Sequence, residues 1–318
     1  MDYLSIFIGR FVLLFLGIFG NIMGIAVFRR KNMDKISTNQ IYRLILFLDA
    51  FFLSTQIFED SALSLGLDLR SLSTLSCKIR YYWNYSIGAV SPWLLVYITI
   101  ERYVAIKYTS IKILKQHNFQ KLIIVLIFIY NLGIYSPFAI LKQVYSAIDN
   151  NETYYYCDFE DNIQYTIMTS LDLINSALLP FFIMFYFSCA LIHTILKVRL
   201  RIIDMRSKKD KKKLRRDIRF GVSSIALNVF FVILNLPLCV TNIFFPLLDD
   251  FTYNIFIIVF YAIFCINSYI LFFFNSIFRN EFLVMLKLRK EVAKTNAHLN
   301  SNRTKKNTGA EPNAKVNI

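Results

Sequence analysis

Seven apolar runs alternate with short polar stretches along the chain, at residues 5–28, 41–65, 81–106, 122–141, 165–196, 220–247 and 251–278. Each is long enough to cross a hydrocarbon core of roughly 30 Å as a helix. Helices are required, because backbone N–H and C=O groups facing lipid must be paired within the segment. The runs also lack the alternation of barrel strands. The pattern predicts an all-α membrane protein, a seven-transmembrane helix bundle.

The polar stretches set the expected orientation. Arg29, Arg30, Lys31 and Lys35 follow the first run, Lys107, Lys112, Lys115 and Lys121 the third, and a dense basic stretch at 197–219 the fifth. Basic loops stay in the cytoplasm. The alternate loops are acidic, with Asp149, Glu152, Asp158, Glu160 and Asp161 after the fourth run and Asp249 and Asp250 after the sixth. The amino terminus is therefore expected outside, in a multi-pass plasma-membrane protein. The first apolar run continues without a small-residue cleavage site, so it is expected to direct insertion itself. Asn151-Glu152-Thr153 is a glycosylation sequon in an outer loop. Asn84 sits in a span and Asn302 in the tail, so their sequons are not expected to be modified. Residues 279–292 alternate Phe282, Leu283, Leu286 and Leu288 with Arg279, Lys287, Arg289 and Lys290. This predicts a short amphipathic helix on the inner leaflet. The domain reading is a seven-transmembrane bundle at 1–292 and a disordered cytoplasmic tail at 293–318.

Composition supports lipid as the solvent: 56% of the 318 residues are hydrophobic and 16% aromatic, and the mean hydropathy is positive. A net charge of +15 would suit nucleic acid, but the basic residues lie in loops between apolar runs, not on one face, so no nucleic-acid partner is expected. The five cysteines form no CxxC pair, which argues against zinc and thioredoxin-like chemistry. His117, His193 and His298 lie in or near cytoplasmic segments, and no nucleophile and base stand at a catalytic spacing, so the chain is not read as an enzyme.

Ionisable groups in spans cost about 2.5–3.5 kcal/mol at mid-bilayer, so they need partners or a task. Asp49 lies well inside the second run, with Asn21, Ser91 and Asn267 as candidate partners in a polar cluster; snorkelling to an interface is the bland alternative. Glu101-Arg102-Tyr103 stands where the third run meets the cytoplasm. Cys77 precedes Arg102 by 25 residues, about 37 Å along a helix, and so lies at the opposite side. Cys77 and Cys157 both belong to the oxidising side, as a disulfide or as two free thiols; Cys189, Cys239 and Cys265 lie in apolar runs. Pro92, Pro137, Pro180 and Pro237 fall within runs, where each removes a helical hydrogen bond.

Over residues 5–288 these features resemble a rhodopsin-like (class A) G-protein-coupled receptor. The residues that carry the resemblance are Gly20-Asn21, Asp49, Cys77 with Cys157, Glu101-Arg102-Tyr103, Pro180, Phe231 with Pro237, Asn267-Ser268 and Phe282. It implies a Cys77–Cys157 bridge and a heterotrimeric G-protein partner. It also implies an inactive-state clasp in which Arg102 is held by Glu101 and by Asp217, opening as the sixth helix swings outward. Asp49, Ser91 and Asn267 match the family's sodium-binding positions, with Leu271 replacing a further donor and Asn235 as a substitute oxygen; no other cofactor is implied. Departures fall on the family's switch residues. The fourth span lacks its tryptophan, Leu234-Asn235-Leu236-Pro237 replaces Cys-Trp-x-Pro, Ser188 replaces a tyrosine, and Leu271-Phe272-Phe273-Phe274-Asn275 replaces Asn-Pro-x-x-Tyr.

Asn84 stands where monoamine receptors of the family carry an aspartate, and no lysine is present at 256–275 for a retinal Schiff base. Monoamines and light sensing are therefore not expected. A ligand pocket is expected at Trp83, Asn84, Tyr85, Gly88, Asp172, Asn175 and Tyr261, beneath an acidic mouth that favours a basic ligand. The chain is similar to divergent invertebrate neuropeptide receptors, including FMRFamide-receptor-like ones, and the cationic end of such a peptide would meet Glu160, Asp161, Asp172 or Asp249. Lys208, Lys209, Lys211, Lys212, Lys213, Arg215 and Arg216 are positioned to meet anionic lipid, a G protein, or neither beyond setting topology. Two alternatives remain: a receptor-like binder that no longer couples efficiently, and a small transporter or channel, against which stands the absence of a repeated half.

Overall fold

The computed structural model describes residues 2–34, 36–108, 114, 116–149, 152–204, 207–244 and 250–289. Among these, seven helices are long and apolar enough to cross a membrane: Ser5–Phe28, Asn39–Leu63, Thr74–Lys107, His117–Leu141, Asn162–Arg199, Asp210–Thr241 and Phe251–Phe274. The expected seven-helix bundle is thus present, with the second to sixth spans beginning earlier than their apolar runs, the third and sixth by the most. The helix containing the third span, α3 (Thr74–Lys107), starts at Ser73, whose hydroxyl accepts from Ser76 N at 3.1 Å. Such a side-chain cap satisfies an otherwise orphaned helix N–H. It extends α3 far enough to carry Cys77 on its first turns.

Lipid is as apolar as leucine, so spans associate through close packing and polar bonds, and small residues matter where backbones approach. In α1 (Asp2–Phe28), a Cβ on Gly20 would come within 2.6 Å of the Tyr269 ring, and one on Gly24 within 2.5 Å of Ser268 Oγ. The first span can therefore lie directly against the seventh. Aromatic rings fill the junction of α1, α2 (Asn39–Ser64) and the segment that follows the seventh span, with Phe28 stacked on Tyr42 at 5.1 Å and tilted against Phe278 at 5.2 Å.

Proline acts differently in each span. Pro92 lies inside α3. The fourth span breaks into α4 (His117–Ile134) and α5 (Ser136–Leu141), with Pro137 in the first turn of α5, where its missing N–H is harmless. The fifth span is α6 (Asn162–Asp172), a π-helical segment Leu173–Leu178 and α7 (Leu179–Asp204), with Pro180 just past the widened turn. A π-turn re-aims the side chains it carries, here Asn175 and its neighbours. The sixth span lies in α8 (Lys208–Phe244) with Pro237 inside, and the seventh in α9 (Asp250–Phe274).

Between the fourth and fifth spans the chain forms an antiparallel hairpin, β1 (Gln143–Asp149) with β2 (Glu152–Asp158), in register Gln143↔Asp158 through Asp149↔Glu152. Cys157 on β2 is bonded to Cys77. Lys142, just ahead of β1, reaches Asp158 at 3.0 Å and lies over the rings of Tyr81 and Phe159. This ties both roots of the hairpin to the top of α3.

The amphipathic helix after the seventh span is α10 (Ser276–Met285), starting three residues ahead of the expected 279 and ending before 292. Asn275 sets its start, the side-chain Oδ1 accepting from Ile277 N at 3.0 Å and Phe278 N at 3.3 Å. Its end is a Schellman closure, Leu288 N to Leu283 O at 2.9 Å and Lys287 N to Val284 O at 3.0 Å, with Lys287 at a left-handed φ of 59°. Glu281 fastens α10 to the turn that follows α1, accepting from Arg30 Nε at 2.7 Å and Asn32 Nδ2 at 2.8 Å.

Candidate functional site

Among the described residues, Arg102 is the largest of the fully buried side chains. Its Nη2 lies 2.6 Å from Glu101 Oε2 and donates to Ser37 Oγ at 2.8 Å and Thr38 Oγ1 at 3.0 Å. Ser37 Oγ in turn donates to Glu101 Oε1 at 2.6 Å. Thr38 occupies the N-cap of α2, where a threonine would ordinarily cap its own helix, yet its side chain makes no capping bond and turns to Arg102 instead. Asp217, at the foot of the sixth span, stands 3.9 Å from Arg102 Nη1. The expected partners are therefore both present, but unequal: Glu101 is in contact and Asp217 at the limit of an ion pair. Phe220, one turn further along α8, lies beneath the guanidinium at 6.0 Å. Tyr103 turns away from this group and packs edge-on against Phe187 at 5.6 Å. Ser37, Thr38 and Phe220 are not identifiable from the triplet, because they come from two other segments of the chain.

Asp49 is fully buried, and each of its oxygens accepts one bond, from Ser91 Oγ at 2.7 Å and Asn267 Nδ2 at 2.6 Å. Asn21 does not join this carboxylate. Its amide donates to Phe264 O at 2.9 Å and its oxygen lies 3.4 Å from Ser268 Oγ, so the expected four-residue cluster divides into two groups along the seventh span. Asn267 presents its nitrogen to Asp49, Asn235 donates to Phe231 O of its own helix at 3.0 Å, and Leu271 offers no donor atom. These residues do not assemble the oxygen cage that a sodium ion needs. Among the described residues, no group of three or more His, Cys, Asp or Glu side chains is placed to hold a metal ion.

At the opposite end of the bundle, the expected pocket residues fall into two groups. Asn84 donates to Glu59 Oε2 at 3.1 Å and Tyr261 to Asp60 Oδ2 at 3.0 Å, joining second, third and seventh spans. Each acid also faces a guanidinium: Arg80 Nη1 is 2.7 Å from Glu59 Oε1, and Arg10 Nη1 is 3.7 Å from Asp60 Oδ2. On the other side, Tyr135 donates to Asp172 Oδ1 at 2.7 Å, and Asn175 donates to Asn131 at 3.0 Å while accepting from Trp93 Nε1 at 3.2 Å. Tyr85 stacks on Phe138 at 4.3 Å beside them. Two of the expected pocket residues lie apart from both groups. Trp83 is 44% exposed on the outside of the bundle, edge-on to Phe51, because it lies on the face of α3 opposite the interior. Gly88 meets the second span directly, since a Cβ there would come to 2.9 Å from the Phe52 ring. Arg10, Glu59 and Asp60 were visible as ionisable residues inside apolar runs, the signal that singled out Asp49. Asn151 and Asp249 lie outside the described residues, as does the chain from 290 onward.

The geometry thus joins a disulfide-braced end to a buried arginine at the other end of seven spans, and a family model described as 7 transmembrane receptor (rhodopsin family) matches residues 20–275. The chain belongs to that family. No curated protein matches it. Members of the rhodopsin family are multi-pass membrane receptors, not enzymes, and membership implies an extracellular ligand and a heterotrimeric G protein as partners. In this rhodopsin-family receptor the matched region begins at Gly20 and ends at Asn275, so it takes in Asp49, the Cys77–Cys157 bridge, Arg102 and Asp217.

Proposed function

We propose that this rhodopsin-family receptor, with its amino terminus outside, binds a cationic neuropeptide and activates a heterotrimeric G protein. The observation that carries the ligand class is the set of carboxylates at the disulfide end. Glu59, Asp60 and Asp172 are largely buried within the bundle, and Glu160 and Asp161 are exposed at the hairpin's root. Buried acids that already hold Arg80 and Arg10 have the geometry to hold a guanidinium or ammonium from outside. A hairpin with free strand edges can also pair with an extended peptide backbone. Asn84, in place of a carboxylate, supports the exclusion of monoamines.

A neuropeptide-library screen with a promiscuous G-protein reporter tests this reading. Basic peptides, including those ending in Arg-Phe-amide, are expected to activate, with potency falling at least tenfold in Asp172→Asn and after charge reversal of Glu160, Asp161 and Asp249. Unchanged potency in these variants, or activation by acidic ligands alone, would overturn it. A second reading, a binder that couples poorly, is favoured by Ser188 and Asn275 at positions where the family carries tyrosine. Ligand-driven nucleotide exchange separates the two.

A further inference from the structure

The inner face of α8 carries polar residues where it meets three other spans. Thr99 Oγ1 of the third span lies 3.2 Å from Ser224 Oγ and accepts from Asn228 Nδ2 at 2.9 Å. Asn228 Nδ2 also donates to Ser188 Oγ of the fifth span at 2.9 Å. Asn275, at the end of the seventh span, donates through Nδ2 to Ser223 Oγ at 3.1 Å while its oxygen caps α10. All six side chains are buried. One helix is therefore bonded to the third, fifth and seventh spans within about two turns, next to Asp217 and Phe220.

Two physical points make this seam more than filler. Spans gain little from apolar contact when lipid is the alternative, so a helix that must be held and then released is held by bonds that can be exchanged. A seam of hydroxyls and amides that opens toward water can have its bonds replaced by water. The 3.9 Å separation of Arg102 from Asp217 leaves that ion pair too loose to hold α8 alone. Ser188 and Asn275, two of the positions at which the chain departs from its family, are the very residues that receive or send bonds to α8.

We propose that Thr99, Ser188, Ser223, Ser224, Asn228 and Asn275 form a neutral hydrogen-bonded latch that keeps the sixth span closed, with Asn228 at its centre and Asn275 transmitting its state to α10. The latch goes beyond the ligand reading and rests only on movement of α8 during signalling. Each interhelical bond in a membrane protein is worth about 0.6 kcal/mol, close to threefold in an equilibrium. Loss of Asn228, which serves two spans, is expected to raise the open-to-closed ratio about three- to tenfold, and loss of Ser223 about threefold.

The test uses the full chain in lipid nanodiscs, with spin labels introduced by Lys107→Cys and Lys212→Cys in a Cys189→Ser background. Distances between the feet of α3 and α8 are then measured by pulsed electron resonance. Asn228→Leu and Ser223→Ala are expected to populate a longer distance, and Ser188→Ala to do so non-additively with Asn228→Leu. Asn235→Leu is the control, because Asn235 is also buried on the same helix but bonds only Phe231 of its own helix. If Asn228→Leu lowers the yield of folded protein, the two serine variants, which lose one hydroxyl each, carry the measurement. An equal shift in Asn235→Leu, or no shift in either serine variant, overturns the latch. A shift in distance without any G-protein nucleotide exchange leaves the latch standing and removes the coupling reading instead.

Discussion

The two ends of the bundle both bury charge, but they hold it differently. At the disulfide end each acid of the second span faces its own guanidinium, Glu59 with Arg80 and Asp60 with Arg10, and the hairpin is fastened to α3 by a covalent bond. At the other end a single guanidinium is divided among one close acid, one distant acid and two hydroxyls, and the adjoining seam is neutral. Matched charges and a bridge define one arrangement. Shared and neutral bonds permit more than one, since a buried charge with several partners can exchange one of them without being left bare.

The comparison breaks most visibly at the bridge. Cys77→Ala opens a connection spanning 80 residues of sequence and is expected to destabilise the chain by about 2–5 kcal/mol. Thermal unfolding in detergent and surface expression measure the loss; a value near zero would mean that the hairpin is held by Lys142 and packing alone. Next in size is Glu59→Gln, which leaves Arg80 without its anion and is expected to cost about 1–3 kcal/mol. A double-mutant cycle with Arg80→Ala should return coupling of the same order; simple additivity would place this pair with ordinary surface charges. Asp217→Asn, at the other end, should move Tm by no more than about 2 °C and raise basal nucleotide exchange about two- to fivefold. A large loss of stability there would erase the contrast.

The smallest effect concerns Lys142. Burial pushes its ammonium below the usual lysine range, against the opposing pull of Asp158. Above its folded pKa the unfolded chain binds more protons than the folded one, so stability should rise with pH through that window, up to about pH 10.4, and be flat below it. Unfolding measured across alkaline pH should show this slope and lose it in Lys142→Met.

Much of the architecture is legible in the residues because lipid enforces it. A run such as 251–278 has no other way to pair its backbone, and the bridge, implied by the family resemblance, joins the two cysteines outside the apolar cores. The hairpin was also within reach: Val144, Tyr145 and Ile148 pair with Cys157, Tyr156 and Thr153, and the polar sequence Asp149-Asn150-Asn151-Glu152 separates the two β-prone runs, a strand signal inside a stretch otherwise read only as a loop. The sites were harder. Asp49 announces itself as a charge in an apolar run, but nothing local shows that Asn21 would prefer Phe264 O, or that Trp83 would face outward.

Sequence alone determined the number of spans, the family, the position of Arg102 and the identity of its acidic neighbours, since these depend on hydropathy, short motifs and spacing along one chain. Only the tertiary structure decided which hydroxyls reach Arg102, how far Asp217 stands from it, and that Ser188 and Asn275 both bond the sixth span. The reason is geometric. Helical periodicity tells which residues share a face, whereas the direction that face takes and the hydrogen bonds it makes depend on tenths of an ångström between helices that are brought together by every other contact in the bundle.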